Sequence, residues 1–477
     1  MRRIPVLVLL MASTTFAAPS QTSSVSFNKD VLPILQKNCQ VCHRTGEVAP
    51  MSFETYASTR PWAKAIKQAV LKKQMPPWFA DIKYGDFRNQ PQLTDSDIQT
   101  LAAWADSGAA EGDAKDKPAG VDWPSGWRVK PDVVLSMPEA HNVPAKGAGE
   151  IKTFTVPNPF KEDTWVSSIE IRPSEPSVVH HVMLQVPEPG QPVSSWGSPP
   201  AACIAAASHE SFLESPIALG RNPNAQTAAK QKDFVILEAV YVPGSSFSDF
   251  RYYDSAKLIK GGGNLRLQVH YTPNGKAVSD QTKIGFVLAP QPPQRKFVML
   301  APKSIADPKK RIPAGDANFE TRGVLEFADD AQVVSFMPHM HLRGKDMTYT
   351  LVFPDGRKTT VLSANFNFDW QLAYELETPI RVRRGTRLEV VAHHDNSANN
   401  AFNPDASREV VWGNLTSEEM VLPWFGVLVD KKADPERILA VRQTGCSAPN
   451  SIVPAFPAKT PNLPFGLPFP APAGKKE

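Results

Sequence analysis

Cysteine is scarce: the 477 residues contain four, at positions 39, 42, 203 and 446. Four thiols do not make a disulfide scaffold for a chain of this length, so each needs its own explanation. Long apolar runs are also missing. No segment approaches the roughly 20 residues that a membrane helix requires, so no transmembrane span is expected. Charge of one sign is not in excess either. The 52 basic and 48 acidic residues leave a formal +4, with no concentrated basic run, and nucleic acid or an anionic membrane is not implied as a partner. No repeat of fixed period is present.

What the chain does have begins at its start. Met1-Arg2-Arg3 precedes an apolar run over residues 4–11 and a small-residue stretch ending at Ala17 and Ala18. That order describes a secretory signal peptide over residues 1–18 and places the mature chain in the periplasm or otherwise outside the cytoplasm. Residues 25–113 are predicted helical and self-contained. Trp62, Ile66, Ala69 and Val70 recur at helical spacing behind Pro61. Thr94 and Asp97 form a capping pair, with Leu93 stapled to Ile98 and Gly108 as the stop. Residues 114–130 read as a linker. Beyond them proline is frequent, 46 in the whole chain, and short alternating segments such as 265–271 and 388–394 predict strands. The expected fold class is therefore multidomain. An all-α N-terminal domain precedes two all-β sandwich subdomains over 131–290 and 295–447, and a proline-rich tail follows over 448–477.

Cys39-Gln40-Val41-Cys42-His43 is a C-x-x-C-H run. Two thiols at this spacing can add to the two vinyl groups of one porphyrin while the adjacent histidine reaches the iron, which predicts one covalent c-type haem. Met51 and Met75 are the candidate sixth ligands. Met75, on a loop stiffened by Pro76, is preferred; a methionine there raises the haem potential. With the closing helix from Thr94, these residues resemble class I c-type cytochromes over residues 25–113. The resemblance implies a cytochrome c-like domain.

Nine of the ten histidines lie beyond that region. His339-Met340-His341 would place two rings on one face of a strand. His270 lies on the Arg266/Gln268 face of its strand, opposite Leu265, Leu267, Val269 and Tyr271. His180 and His181 are adjacent, so they can share a metal only if the strand bulges or different ring nitrogens are used. Met420 closes the segment Gly413-Asn414-Leu415-Thr416-Ser417-Glu418-Glu419-Met420. Five imidazoles and a thioether suit copper cycling between Cu(I) and Cu(II) better than calcium or magnesium. His393-His394-Asp395-Asn396 is expected to play a structural or supporting role, and His141 and His209 to lie on surface or loops.

In this order the residues resemble the copper type II, ascorbate-dependent monooxygenases, the family of peptidylglycine hydroxylating monooxygenase and dopamine β-monooxygenase, over about residues 130–440. The resemblance implies two jelly-roll-like copper-binding subdomains and two coppers. One, at His180, His181 and His270, stores and passes electrons. The other, at His339, His341 and Met420, is the catalytic centre that binds dioxygen and abstracts hydrogen from a C–H bond of a small-molecule substrate. Electrons would come from an ascorbate-like reductant or a periplasmic or membrane redox protein, with the haem as a relay. Met337 stands where peptide-amidating members carry an arginine, which argues against peptide amidation; Arg343 lies on the other side of the pair. Whether Cys203 and Cys446 pair is left open. The competing expectations are a non-enzymatic electron-transfer or copper-binding protein, and an interaction module with structural histidines.

Overall fold

In a computed structural model of the chain, the described residues are 25–147, 149–186, 234–302, 305–307, 310–413 and 415–440. The expected signal peptide, Cys203, His209, Asn414, Cys446 and the proline-rich tail lie outside them. No helix among the described residues is long and apolar enough to cross a membrane.

The expected all-α cytochrome c-like domain is not present, and this part of the fold reading is corrected. Residues 25–113 hold four short helices, α1 (Leu32–Asn38), α2 (Tyr56–Thr59), α3 (Ala63–Leu71) and α4 (Asp95–Asp106), in a chain otherwise built of strands. The capping of α4 is as expected: Thr94 accepts from the Asp97 N–H while Asp97 accepts from the Thr94 N–H. Phe27, Leu32, Leu35, Ile66, Leu101 and Trp104 form a small shared core. The region is nevertheless not self-contained. Proline at 76 and 77 cannot continue α3, and the chain departs to lie along the second sandwich. There Asp81 N–H donates to Ser363 (2.8 Å), Arg88 N–H to Glu375 (2.9 Å) and Glu377 N–H to Asp86 (2.8 Å). Trp78, Ala80 and Phe87 pack into that sandwich's core rather than their own, with Trp78 edge-on to Tyr374 at 5.0 Å. Apolar residues in a segment without helical period gain more by joining a preformed core than by ordering one of their own.

The remainder is β-sheet. A four-stranded sheet runs Glu150–Pro157, Asn264–Tyr271, Val179–Gln185 and Ala239–Tyr241. A five-stranded sheet runs Lys358–Asn365, Gly344–Val352, Arg387–His394, Phe319–Phe327 and Leu439–Ala440. Between them lies a ten-stranded sheet with members from both expected subdomains. Its path includes Thr164–Arg172 and Ser255–Ile259 from the first and Arg295–Pro302, Val421–Asp430 and Ala331–Met340 from the second. Ser255 and Ala256 pair in parallel with Arg295 and Lys296, so the sheet does not break near residues 291–294. One core, including Ile169, Val182, Leu265 and Phe286, fills the first sandwich. Val333, Phe336, Tyr349, Leu388 and Phe425 belong to the other. In both, alternate residues point inward as strand geometry demands.

Candidate metal centre

On Asn264–Tyr271, Leu265, Leu267, Val269 and Tyr271 face the core, leaving Gln268 and His270 on the opposite face. Across from His270 sits His181, yet Tyr271 pairs with Val179, so the register slips by one residue at His180. This is the bulge that an adjacent histidine pair requires: the extra residue swings His180 to the side of His181. Ligand atoms of His180, His181 and His270 all lie within 4.8 Å of one another. His180 Nε2 is 3.0 Å from the Phe368 carbonyl. A carbonyl only accepts, so Nε2 carries the proton and Nδ1, which lies 3.3 Å from His181 Nδ1, carries the lone pair that could serve a metal. His270 Nε2 meets the Thr416 hydroxyl at 2.8 Å.

The second set forms where Ala331–Met340 ends. His339 and His341 share a face, and their rings are 5.5 Å apart. Each is oriented through Nδ1, His339 by the Gln371 side-chain oxygen (2.5 Å) and His341 by the Glu418 carbonyl (3.0 Å). Both therefore present a bare Nε2, the arrangement in which an imidazole is held ready for a metal by its other nitrogen. Met420 comes from the loop before Val421–Asp430. Glu419 ties that loop to the histidine strand by accepting from the N–H groups of His341 (3.0 Å), Arg343 (2.6 Å) and Met420 (3.3 Å). At Gly413 a Cβ would meet the Glu418 carboxylate, which would have to move aside.

The two sets are neighbours rather than occupants of separate subdomains: the rings of His181 and His339 are 5.8 Å apart. His181, His270, His339, His341 and Met420 line one cavity of about 270 Å³ between the four-stranded and ten-stranded sheets. Burial holds the imidazoles neutral. It brings His180 and His339 down to about 4 and His270 to about 3, with like-charge neighbours adding to the effect on His180 and His270. His181 and His341 are likewise held well below the usual imidazole range by burial and by the surrounding imidazoles. Neutral imidazole is the form that binds metal. Buried Glu419 is pushed up to about 7 by desolvation, against its three N–H donors and Arg343.

Cys39 and Cys42 are free and half-buried. Burial, then the neighbouring Cys42, pushes the Cys39 thiol up to about 12. His43 stacks on Phe53 at 4.2 Å and its Nδ1 is 3.2 Å from the Met51 carbonyl, so Nε2 is free for an iron. These donors fit a haem. The Met51 side chain belongs to the small core shared with Phe27, Leu35 and Trp104. Met75 sits in the turn after α3, its N–H directed to Ala69 at 3.4 Å. The loop after His43 is clamped to the first sandwich. Arg44 donates to the Gly126 carbonyl (2.8 Å) and to Glu47 (2.7 Å), and Glu47 also pairs with Arg172 at the end of Thr164–Arg172. Tyr241 lies in the field of Glu47 and Cys42, and its buried hydroxyl has no hydrogen-bond partner among the described residues.

The remaining polar residues support this frame. Arg343 is buried, donating to the Ser417 carbonyl (2.8 Å) and Asn403 (3.1 Å), and Met337 lines the cavity in its stead. His393 bonds Asp346 at 2.7 Å. His394 is fully buried, 3.6 Å from Glu419. His141 is not a loop residue: it begins the strand His141–Val143 and pairs with Glu150 at 2.6 Å. Phe368, Gln371 and Thr416 escaped the sequence reading as orienting groups. Only Thr416 carried a signal, as the hydroxyl position of the Met420 segment.

No family model matches the chain. Among solved structures, it is similar to the major capsid protein P2 from bacteriophage PM2, at 8% identity over 63% of this chain and 99% of that one, with a TM-score of 0.26. It is also similar to the structure of infectious bursal disease virus Gx strain, at 8% identity over 64% and 72% of the two chains, with a TM-score of 0.12. Likenesses this weak carry no argument about fold or function.

Proposed function

We propose that the chain is an exported copper-dependent monooxygenase that hydroxylates a C–H bond of a small molecule. The observation that carries this reading is the convergence of four neutral imidazoles and the Met420 thioether on one cavity, with a fifth imidazole, His180, grouped with His181 and His270. The order of these residues, similar to that of the ascorbate-dependent copper monooxygenases, supports it further. In the balanced reaction, R–H, dioxygen, two electrons and two protons give R–OH and water. Copper would supply the one-electron chemistry and the activation of dioxygen. His180, His181 and His270 hold one ion. His339, His341 and Met420 hold the other, where the soft thioether favours the reduced state. Phe368, Gln371 and the Glu418 carbonyl fix which ring nitrogen faces the metal, and the sheets on either side exclude water.

Cys39 and Cys42 would hold a haem covalently, with His43 and Met75 offering ligands to its iron, and such a group would supply a one-electron relay fed by an ascorbate-like donor or a redox protein. The Arg44–Glu47–Arg172 clamp supports that role by fixing the attachment loop against the sandwich that bears His180 and His181. Tyr241 bridges the same gap: its strand pairs with Val179–Gln185, and its neighbours Val240 and Val242 line the cavity. The test is metal and haem analysis of the exported protein, followed by oxygen uptake with chemically reduced haem. About two coppers and one haem per chain, with oxygen consumed, are expected. Absence of copper, or zinc retained at both sites, would overturn the reading. Copper and haem without oxygen consumption would leave a non-enzymatic electron carrier.

A further inference from the structure

The cavity has two unlike ends. Along the four-stranded sheet, one row of paired residues is Ile151, His270 and His181, and the next row on the same face is Thr153, Gln268 and Met183. Rows two residues apart are separated by about 7 Å. The first row holds two of the proposed ligands, His181 and His270, and the second holds none of the proposed ligands. On the facing sheet, His339 pairs with Leu422 and Met337 pairs with Trp424. Met337 and Trp424 cluster with Leu237 and Leu422, and Met183 packs against them.

No Asp, Glu, Lys or Arg among the described residues lines this cavity. The nearest cation in sequence, Arg343, is committed to Ser417 and Asn403. Thr153 and Gln268 are the polar lining groups outside the metal donors, and no hydrogen bond holds either side chain among the described residues. They face each other across paired strands. A carboxylate or ammonium placed in the second row would lose its hydration without a counter-charge, a cost of several kcal/mol. A hydroxyl, ketone or amide would instead recover its hydrogen bonds from Gln268 and Thr153. A cavity of about 150 Å³ takes a benzene-sized ligand, so this one has room for roughly ten non-hydrogen atoms.

We infer that the substrate is a small, uncharged, largely apolar molecule with one neutral hydrogen-bonding group, held by Gln268 and Thr153 about one strand row away from the metal donors. This rests on the monooxygenase reading for its chemistry, but the binding it requires does not depend on copper. Substrate chain is gripped by Met183, Met337 and Trp424, while the polar group fixes which carbon lies beside His339 and His341.

The test uses the full chain stripped of metal, so that an anion cannot bind simply by ligating copper. Titration calorimetry compares 1-hexanol, hexanoate and hexylammonium near neutral pH, with copper content measured in parallel on the loaded protein. Hexanol is expected to bind at least about tenfold more tightly than either ion. Thr153→Val and Gln268→Leu should each weaken hexanol by about tenfold, the worth of one hydrogen bond. Met337→Arg should reverse the preference toward hexanoate; if that variant does not fold, the near-isosteric Thr153→Val carries the comparison. Either ion binding as tightly as hexanol, or hexanol binding unchanged in both Thr153→Val and Gln268→Leu, would overturn the inference. Copper uptake without hexanol binding sinks the substrate class alone, whereas hexanol binding without copper uptake sinks the metal reading alone.

Discussion

The carboxylate of Glu419 receives the main-chain N–H of His341 at 3.0 Å, so the residue beside one proposed ligand holds the backbone of another. Its remaining acceptor capacity is spent on Arg343 and Met420. Glu419→Ala should strand three buried N–H groups, at about 1–3 kcal/mol each before relaxation. Glu419→Gln keeps the volume but offers one acceptor oxygen. The expected outcome for Glu419→Gln is a 10–100-fold loss of Cu(I) affinity at the Met420 site, with the His180 site unaffected. Competition against a chromophoric Cu(I) chelator reads this directly; an unchanged affinity would remove Glu419 from its positioning role.

The proximity of His181 and His339 has a magnetic consequence. Metals bound by the two sets would share one cavity, and their unpaired spins should interact. Oxidised protein carrying two coppers should show less EPR intensity than two isolated Cu(II) ions. His180→Ala and Met420→Ala, each weakening one site, should restore the full signal of the ion that remains. Two additive, unperturbed signals in the parent protein would mean that the metals are held apart.

Haem attachment should depend on both thiols. Cys39→Ala or Cys42→Ala is expected to leave little or no haem stain on a denaturing gel, and full staining of the double variant would contradict the assignment. Met75→Ala should spare attachment but abolish the methionine–iron absorption band of the oxidised protein. Met51→Ala should not abolish that band, since the Met51 side chain is packed in the core beside Phe27 and Leu35; loss of the band in that variant would make Met51 the ligand.

Arg172 and Glu47 are linked across the seam between the attachment loop and the first sandwich. In Arg172→Ala the chain still tethers the loop, but its docked geometry is lost. If the clamp is worth about 1.4 kcal/mol, electron transfer from haem to copper should slow by about tenfold. Stopped-flow reoxidation of the reduced haem measures it. A rate equal to the parent's would show that the clamp is mechanical only.

Acid should destabilise the metal-free fold at pH values above the ordinary carboxylate range. His180, His270 and His339 are held at about 4, 3 and 4, below the roughly 6.5 of an unfolded chain. Between those limits the unfolded state binds more protons, so stability is complete above about pH 6.5 and falls as pH drops toward 4. Each such imidazole contributes a slope of at most about 1.4 kcal/mol per pH unit. Glu419, raised to about 7, and His393, raised by Asp346, work in the opposite direction, but His181, His341 and His394 are lowered as well and add to the three. Urea midpoints at pH 7.5, 6.0 and 5.0 should decline in that order, and a midpoint that rose on acidification would contradict the buried-neutral assignment.

The site was legible in the sequence to the extent that strand alternation governs it. His270 could be placed opposite Leu267 and Val269 because side chains alternate. The adjacency of His180 and His181 left either a bulge or the use of different ring nitrogens for a shared metal, and the register shows the bulge. Residues 78–90 were not legible in the same way. Trp78 and Phe87 announce burial, but nothing local says that the core they enter is built more than two hundred residues later. The all-α expectation failed for that reason. Phe368 and Gln371 were invisible because a carbonyl and an amide that orient a distant imidazole leave no periodic signature. The ten-stranded sheet was missed because proline-rich residues 289–294 read as a boundary, whereas the strands on either side belong to one sheet.

That shared sheet governs how the protein can be handled and how it can fail. Arg295–Pro302 is bonded on one side to Val421–Asp430 and on the other to Phe234–Leu237 and Ser255–Ile259. Severing the chain at residue 292 and expressing either half alone would uncover a long row of main-chain donors and acceptors, a template for aggregation. Coexpressed halves should instead reassemble. In calorimetry the two sandwiches should melt in one transition, since neither can lose its strands without unzipping its neighbour.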